Sequence, residues 1–389
     1  MIEWVFWFSF AVMLYTYVLY PVILFLFVQM KQNIQTESNT IIGTNHIPNV
    51  TVIISAYNEA DCINAKIQNS IALNYPADKI SWIVVTDGST DGTNKIVATY
   101  SQISLLHHAE RLGKLHAMNR AVNESTADIL VFTDANSILN SDCLHYMIPH
   151  FSNARTGAVS GEKKILIPTD ADAMIGEGIY WKYESFIKKM ESQFKTVIGM
   201  PGELFAIRKS LYPLLPPNTI TEDFSIAMQV IASGYIIRYE PNAIAAENPS
   251  IHIAAEFNRK KRIAAGSIQT LLQTLHLCSP FKYPSIAFQY ISHKVFRWLL
   301  IPLLLPVLFI TSIFLWYHTH ATIFWLSSVT QILFYSLALI GWVAELLRMS
   351  IKWLYIPFYY CFMNLSMLAG IALFLSGKHT VLWEKVERK

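Results

Sequence analysis

Charge is scarce in this sequence. Charged residues make up 15% of the 389 positions and hydrophobic residues 53%, and the mean hydropathy is +0.34. This balance is too apolar for an ordinary soluble domain and too polar for a pure transporter, so it favours an enzyme with membrane segments. The net charge is only +3, and Arg259–Arg262 is the one dense basic cluster, so nucleic acid is not an expected partner.

Cysteine is also rare. The four cysteines are far apart in the sequence, at Cys62, Cys143, Cys278 and Cys361. No pair of them has metal-ligand spacing, which argues against a zinc site. Scattered thiols of this kind are typical of a reduced, cytosolic environment, in which structural disulfides are uncommon.

The N-terminus carries a nearly uncharged apolar run, Trp4–Met30, of about the length that spans a bilayer. A cleaved signal peptide would have a basic start and a shorter apolar core, whereas Glu3 is acidic, so we expect a retained anchor. Lys31 follows the run and places the next residues in the cytoplasm. Residues 32–48 are polar and are expected to form a linker.

Three further apolar runs lie near the C-terminus, at Val295–Tyr317, Thr322–Leu346 and Trp353–Ser376. Arg348 and Lys352 place the second break in the cytoplasm, and counting crossings then sends the C-terminus outside. The tail itself is rich in lysine and arginine, which favours the inside. Two explanations stay open: the charge rule is broken at the tail, or one run lies in the interface or re-enters.

The segment between these membrane regions reads as an α/β domain. Ile129–Phe132 is an apolar run typical of a strand that is covered on both faces, and Val50–Ser55 and Ile80–Thr86 read as further strands with helices between them. Such alternation predicts a parallel sheet with right-handed crossovers. The carboxyl ends of parallel strands share one edge, so Asp87 and Asp134 are expected to converge there.

The residues after the central strand suggest a cation site. Asp134 and Asn136 occupy positions i and i+2 and present two oxygens on one side of an extended chain. Hard oxygens at the end of a strand suit Mg²⁺ or Mn²⁺ carrying a phosphate, although Asp and Asn also favour ordinary turns. Lys114 follows a glycine and could meet phosphates, but a solvated lysine is the simpler reading.

Two later segments have structural explanations of their own. Thr221 followed by Glu222 and Asp223 is a good helix start, with a cap and acids in the first turn. The residues Ile268, Leu271, Leu272 and Leu275 lie on one apolar helical face behind the basic cluster. This segment is either an interfacial helix or a soluble amphipathic helix.

Several short motifs stand in the order found in family-2 inverting glycosyltransferases. They are S-A-Y-N-E at Ser55–Glu59, T-D-G-S-T-D-G-T at Thr86–Thr93, G-K-x-x-A-x-N at Gly113–Asn119, F-T-D-A-N at Phe132–Asn136, T-E-D at Thr221–Asp223 and S-H-K-x-x-R-W-x-x-P at Ser292–Pro302. Y-W-K-Y-E at Tyr180–Glu184 is a further match. The chain resembles the membrane-embedded branch with cellulose, chitin, hyaluronan and poly-N-acetylglucosamine synthases, which implies a GT-A-like fold.

This resemblance implies a nucleotide-sugar donor, a UDP-sugar, whose diphosphate leaving group is neutralised by Mg²⁺ or Mn²⁺. It implies that Asp134 and Asn136 hold this ion. The donor-binding residues would be Ala56, Tyr57, Glu59, Asp87, Lys114, Arg259 and Arg262. Asp87 would accept a hydrogen bond from the uracil ring, with Tyr57 beside the base and Lys114 near the diphosphate.

The resemblance also implies the catalytic pair Glu222 and Asp223. Asp223 would be the general base, taking the proton from the acceptor hydroxyl as its oxygen attacks the anomeric carbon. Because the enzyme supplies no nucleophile, attack from the face opposite the diphosphate inverts that carbon.

The clearest departure from the family lies at Arg259–Ile263. Processive members have Q-x-x-R-W there, and this chain keeps Arg262 but has Ile263 in place of the tryptophan. In that family the tryptophan helps to hold the acceptor sugar, so its loss puts processive polymer synthesis in doubt. The alternatives are therefore a growing polysaccharide acceptor and transfer of one or a few sugars to a lipid-linked acceptor. The bilayer and accessory export subunits are further partners of such enzymes.

The expected organisation has six parts. They are a transmembrane anchor (1–31), a linker (32–48), a cytosolic glycosyltransferase domain (49–262), interfacial helices (263–293), three hydrophobic spans (294–377) and a tail (378–389). We expect an integral protein of the inner or plasma membrane with a cytoplasmic catalytic domain. A non-catalytic sugar-nucleotide-binding protein would have lost Asp134 or Asp223, and a transporter would have more intramembrane acids than Glu345.

Overall fold

The computed structural model describes residues 1–34, 47–166, 175–249, 253–347, 349 and 351–382. Most of the predicted linker, Arg348 and the last seven residues of the tail lie outside this part of the chain. The strands are β1 (Val50–Ala56), β2 (Ile80–Asp87), β3 (Ile103–His108), β4 (Ile129–Asp134), β5 (Ser137–Leu139), β6 (Thr156–Ile165), β7 (Leu204–Arg208) and β8 (Ile236–Glu247).

The helices alternate with the strands and then continue alone to the C-terminus. They are α1 (Ile2–Leu14), α2 (Tyr20–Ile34), α3 (Ile63–Ile71), α4 (Thr93–Val97), α5 (Lys114–Glu124), α6 (Cys143–Met147), α7 (Ile175–Phe194), α8 (Glu222–Ala232), α9 (Ile253–Gln273), α10 (Pro284–Tyr290), α11 (Ile301–Thr319), α12 (Thr322–Leu346) and α13 (Lys352–Leu375). Two π-helical segments, Tyr15–Leu19 and Ile291–Leu300, join α1 to α2 and α10 to α11.

All the described strands form one mixed sheet in the order β3-β2-β1-β4-β7-β6-β8-β5. The first four strands are parallel, β7 runs antiparallel between β4 and β6, and β8 pairs parallel with β6. The sequence predicted the parallel half, because its strands are continuous apolar runs. It did not predict β6, β7 or β8.

Both faces of the sheet are covered by helices, as predicted. On β1, Ile53 packs in a core that contains Met118 of α5, whereas its neighbour Ile54 packs in the opposite core with Ile67 of α3. Successive strand residues point to opposite faces, and here both faces are apolar because both are buried. This arrangement confirms the predicted α/β fold class and brings the carboxyl ends of β1, β2 and β4 to one edge.

Among the described residues, four helical segments are long and apolar enough to cross a membrane. They are Ile2–Lys31, Pro284–Thr319, Thr322–Leu346 and Trp353–Leu375, and they coincide with the four apolar runs of the sequence. The N-terminal helix packs against the later ones, and the ring of Phe6 meets that of Phe324 edge to face at 5.0 Å. Apolar side chains remain exposed along these helices, as expected of a surface that faces lipid.

Helix α9 continues through the boundary that the sequence placed after Arg262. Ile268 and Leu271 are buried, whereas Leu272 and Leu275 are 49% and 50% exposed, so the predicted apolar face is divided. The division arises because one side of α9 packs closely on the loop before α8. A Cβ placed on Gly266 would approach the Thr221 side chain within 2.7 Å.

Helix α13 runs parallel to α9. Phe257 and Phe362 are in ring contact, and further along both helices Gly370 lies against Ala264. The residues that follow α13, 378–382, line a cavity of the α/β domain. The described part of the tail therefore lies on the same side as this domain, and the two explanations that the sequence left open for the last apolar run both remain.

Candidate active site

Lys114 stands at the centre of a cluster of acids. The acids and Lys114 together come from three separate segments of the chain. It is the first residue of α5, after Gly113, whose φ of +100° suits glycine. The ammonium nitrogen lies 2.8 Å from an oxygen of Asp134 and 3.0 Å from an oxygen of Glu222. Burial opposes the charge of Lys114, but these two carboxylates raise its pKa well above the usual value. The structure thus brings together three of the predicted site residues.

Asp223 joins this cluster from the first turn of α8. A Cβ on Gly202 would lie 3.3 Å from an oxygen of Asp223 and 3.3 Å from the Lys114 nitrogen, so glycine permits their close approach. Burial and the neighbouring charge of Glu222 raise the pKa of Asp223 to about 7. A carboxyl group with this pKa can exchange a proton at neutral pH.

Its neighbour Glu222 behaves differently. Burial disfavours its charge, but the ammonium of Lys114 lowers the pKa of Glu222 below the usual value. Thr221 is the N-cap residue of α8, as predicted, yet its side chain makes no capping hydrogen bond. The pKa values of the two adjacent acids are therefore shifted in opposite directions. Asp223 can act as a base, whereas Glu222 remains a fixed negative charge.

The turn after β4 presents the two oxygens that the sequence predicted. Asp134 is paired with Lys114, and Asn136 Oδ1 is buried without a hydrogen-bond partner. An unpaired buried oxygen is costly unless a ligand satisfies it. Carboxylate and amide oxygens are suited to Mg²⁺ or Mn²⁺, so the residues present fit a divalent cation.

A buried lysine that sequence reasoning missed supports this turn. The Lys66 ammonium donates hydrogen bonds to Thr133 Oγ1 and to the Ser137 carbonyl, both at 2.7 Å, and Ser137 in turn donates to the Asp134 carbonyl. Burial lowers the pKa of Lys66 to about 7. The signal was available: Lys66 shares the apolar face of α3 with Ile63.

Asp87, which the resemblance assigned to the donor base, lies at the end of β2. The side chain is fully buried, and its two oxygens accept hydrogen bonds from the backbone N–H groups of Leu112 and Gly113, at 3.0 and 2.8 Å. These hydrogen bonds fix the loop that carries Lys114, and a contact of Asp87 with the base stays a prediction.

A cavity of about 370 Å³ opens over the cluster. Of the predicted residues, those that line it are Glu59, Lys114, Asp134, Asn136, Glu222, Arg259 and Arg262. Ala56 is buried in β1, and the Tyr57 ring lies 3.7 Å from the guanidinium of Arg111. Neither residue is part of the cavity lining. Ile263, where the family has tryptophan, also lines the cavity.

The cavity is closed on one side by residues that the sequence did not assign to it. Lys378–Leu382 follow α13 and line the wall opposite Gly113, where Val381 would lie 3.6 Å from an added Cβ. On the α9 side, Arg259 donates to both oxygens of Glu256, and Arg262 donates to the carbonyl of Ile220 at 3.3 Å. Both guanidinium groups are thus held at the rim.

Comparison with known proteins agrees with this geometry. Residues 51–213 match the model of glycosyl transferase family 2. A poly-β-1,6-N-acetyl-D-glucosamine synthase of Staphylococcus aureus is 26% identical over 242 residues, which are 60% of this chain and 58% of that synthase. The probable glycosyltransferase YdaM of Bacillus subtilis is 26% identical over 313 residues, which are 74% of this chain and 71% of that protein.

The fold is shared with a solved structure, that of a mannosyltransferase from Pyrobaculum calidifontis in complex with GDP-mannose and Mn²⁺. The TM-score is 0.72 at 21% identity, over 97% of this chain and 100% of that one. At this identity the likeness shows a shared GT-A-like fold. The match of residues 51–213 to the family-2 model agrees with the family that the motifs predicted, and the chain spans less than two thirds of the length of the Staphylococcus synthase.

Proposed function

We propose that this protein is a membrane-embedded, metal-dependent, inverting glycosyltransferase. It transfers a sugar from a nucleotide-sugar, a UDP-sugar, to a growing polysaccharide or a membrane-held saccharide. The observation that carries the proposal is the convergence around Lys114 of Asp134 and Glu222, which line the cavity, and of Asp223, which lies beside Lys114 outside the lining. A domain that only bound nucleotide-sugars would have no need for a buried base beside the cation site.

The donor diphosphate is bound between Lys114 and the turn after β4. Asp134 and Asn136 hold the divalent cation, which when bound neutralises the charge that develops on the leaving diphosphate. Lys114 adds a second positive charge, and it stands at the N-terminus of α5, where the helix dipole favours an anion. Asp87 keeps this lysine in place by fixing the loop before it.

Asp223 accepts the proton in the transfer step. The acceptor hydroxyl loses its proton to Asp223 while its oxygen forms a bond to the anomeric carbon, and the bond from that carbon to the diphosphate oxygen breaks. The diphosphate leaves with the electron pair. Glu222 stays charged against Lys114, so that the negative charge beside Asp223 sustains its proton affinity.

The test is incorporation of label from a panel of radiolabelled donors by membranes that contain the protein. The panel comprises UDP-N-acetylglucosamine, UDP-glucose, UDP-galactose and GDP-mannose, each with Mn²⁺, Mg²⁺ or excess chelator. We expect one UDP-sugar to be incorporated in the presence of metal and none with chelator. The anomeric configuration of the product, read by NMR, is expected to be opposite to that of the donor.

Two outcomes would overturn the proposal. The first is transfer that is unchanged by chelator, which would remove the role of Asp134 and Asn136. The second is retention of donor configuration, which would be incompatible with Asp223 as a base in a single displacement. Membranes with the Glu124→Gln variant serve as a control, because Glu124 is exposed on α5 far from the acid cluster.

A further inference from the structure

A second cavity lies at the junction of the catalytic domain and the membrane helices. Its volume is about 280 Å³, close to the roughly 300 Å³ at which ligand pockets begin. Half of its lining residues are aromatic, and Ile356, Met363 and Met367 add apolar surface. The aromatic residues are Tyr17, Tyr183, Trp298, Tyr359 and Tyr360. We call it the aromatic cavity.

The aromatic cavity collects two sequence motifs that the donor chemistry leaves without a role. Tyr183 comes from Y-W-K-Y-E, and Arg297 and Trp298 come from S-H-K-x-x-R-W-x-x-P. The motifs are joined by ion pairs, because the Glu184 carboxylate lies 2.7 Å from the guanidinium of Arg297 and 3.3 Å from the ammonium of Lys294. These buried pairs fix the orientation of the helices that form the wall.

Both π-helical segments of the described chain meet at this cavity. The hydroxyl of Tyr15, in the first segment, lies 2.7 Å from that of Ser292, in the second. Tyr17 from the first, with Arg297 and Trp298 from the second, then project into the cavity wall. π-Helical segments are rare and are frequent at functional sites, so two of them beside one cavity agree with a binding role.

The aromatic cavity is connected to the catalytic base through two rings. The indole of Trp298 packs edge to face on Phe224, with centroids 5.1 Å apart. The backbone N–H of Phe224 donates to the Asp223 carboxylate at 2.7 Å. Helix α13 joins the cavities as well, because Met367 lines the aromatic one and Leu373 lines the catalytic one, about 9 Å further along the helix.

We propose that the aromatic cavity binds the saccharide acceptor, with Trp298 as the ring against which it stacks. The inference rests on the proposed function and specifies its acceptor. Tyrosine, tryptophan and the amide of Asn364 combine flat apolar faces with hydrogen-bonding groups, which matches a sugar ring. Trp298 then supplies the ring on which the acceptor sugar stacks, in place of the family's tryptophan, which is Ile263 in this chain.

The test compares Trp298→Leu and Trp298→Phe with the control Trp325→Leu, whose indole is 43% exposed on α12. The acceptor probe is a β-1,6-linked N-acetylglucosamine pentasaccharide, and the donor is the sugar nucleotide that supports turnover. We expect Trp298→Leu to raise the KM for the pentasaccharide at least tenfold while the KM for donor stays within a factor of two. Trp298→Phe restores most of the loss because it keeps an aromatic face, and Trp325→Leu matches the wild type.

A photoreactive pentasaccharide supplies a second readout that does not need turnover. Its crosslinks are expected in peptides that carry Tyr183, Trp298 or Tyr360 and to be lost in Trp298→Leu. Crosslinks elsewhere, or competition by polyprenyl phosphate but not by unlabelled pentasaccharide, would overturn the inference in favour of a lipid. If Trp298→Leu raises the KM for donor and the KM for pentasaccharide equally and also lowers the Tm, Trp298 contributes only to packing. If no donor is turned over but crosslinking is as expected, the proposed function fails and the saccharide site stands.

Discussion

The two cavities of this protein are built on different principles. The catalytic cavity is lined by charged side chains from short loops at strand ends, where Lys114 meets Asp134 and Glu222. The aromatic cavity is lined by rings on long helices, and its charges, such as Glu184 and Arg297, are paired within the wall. Charge concentrated at loop ends is suited to chemistry on a diphosphate, whereas paired charge behind rings is suited to holding a neutral ligand.

This difference also decides how mutations should act. In the catalytic cavity a lost charge removes a step of the reaction and leaves the scaffold, because glycine-rich loops carry little packing. At the junction, removal of one charge leaves its buried partner unpaired, so the stability of the fold decreases. Each prediction below separates these two kinds of effect.

The largest effect is expected for Asp223→Asn. The amide cannot accept the acceptor proton, so turnover is expected to fall by about 10²- to 10⁴-fold. Donor affinity, measured by equilibrium binding of labelled UDP, is expected to change little, because the donor is assigned to Lys114, Asp134 and Asn136, and Asp223 is not part of the cavity lining that these residues share. Turnover close to that of the wild type would show that another group is the base.

The next effect belongs to the junction. Glu184→Gln removes the partner of Lys294 and Arg297, both buried, and is expected to lower the free energy of unfolding by about 3–5 kcal/mol. Unfolding in detergent micelles measures this loss, with the exposed Glu124→Gln as control. A loss below about 1 kcal/mol would contradict a structural role of the buried pairs and would remove the contrast between the two regions.

The sequence predicted the catalytic cavity better than the junction for a physical reason. The parallel sheet alone predicted that Asp87 and Asp134 approach one edge, whereas Lys114 and Asp223 were assigned to the site by the resemblance of their motifs to those of family-2 glycosyltransferases. The aromatic cavity needs the crossing of distant helices, such as the contact of Tyr15 with Ser292, which no local pattern encodes. The closing of the catalytic cavity by residues 378–382 could not be predicted for the same reason.

Within the fold, the limit of prediction lay between the two halves of the sheet. The parallel strands β1 and β4 are uninterrupted apolar runs and were predicted within two residues of their ends. The antiparallel half was missed: β8 has the sequence I-I-R-Y-E-P-N-A-I-A-A-E, with proline and charges inside it. Its burial pattern is irregular because β6 and β8 pair with register shifts, so neither strict alternation nor a continuous apolar run marks it.

A third prediction concerns the buried support of the cation turn. Lys66→Met removes the hydrogen bonds to Thr133 and Ser137 and is expected to weaken Mn²⁺ binding about 10- to 100-fold, as loss of a group that orients metal ligands does. Mn²⁺ affinity in the presence of UDP is measured by electron paramagnetic resonance. Lys95→Met, at an exposed position of α4, is the control. Unchanged Mn²⁺ affinity with a lowered Tm would assign Lys66 to packing alone.

Below pH 7, kcat/KM for the acceptor is expected to fall about tenfold for each pH unit. Because burial and Glu222 raise the pKa of Asp223 to about 7, its base form dominates only above this pH. As pH falls below 7, the protonated carboxyl cannot take the acceptor proton, and kcat/KM for the acceptor is expected to fall with it. Donor affinity over the same range serves as the reference. A profile that stays flat down to pH 5 would show that Asp223 keeps an ordinary carboxyl pKa.

The smallest effect is expected for Asn136→Asp, which tests whether the turn after β4 is a cation site or only a turn. The oxygen of Asn136 is buried and without a partner, so a carboxylate there gains from a bound cation and loses without one. Mn²⁺ affinity is expected to rise about threefold to tenfold, while the Tm without metal falls, because Asp134 and the new carboxylate then repel each other. The exposed Asn123→Asp adds the same charge to α5 and is expected to change neither quantity. If Asn136→Asp leaves the Mn²⁺ affinity unchanged, the unpaired oxygen of Asn136 does not face a cation, and Asp134 and Asn136 form only an ordinary turn.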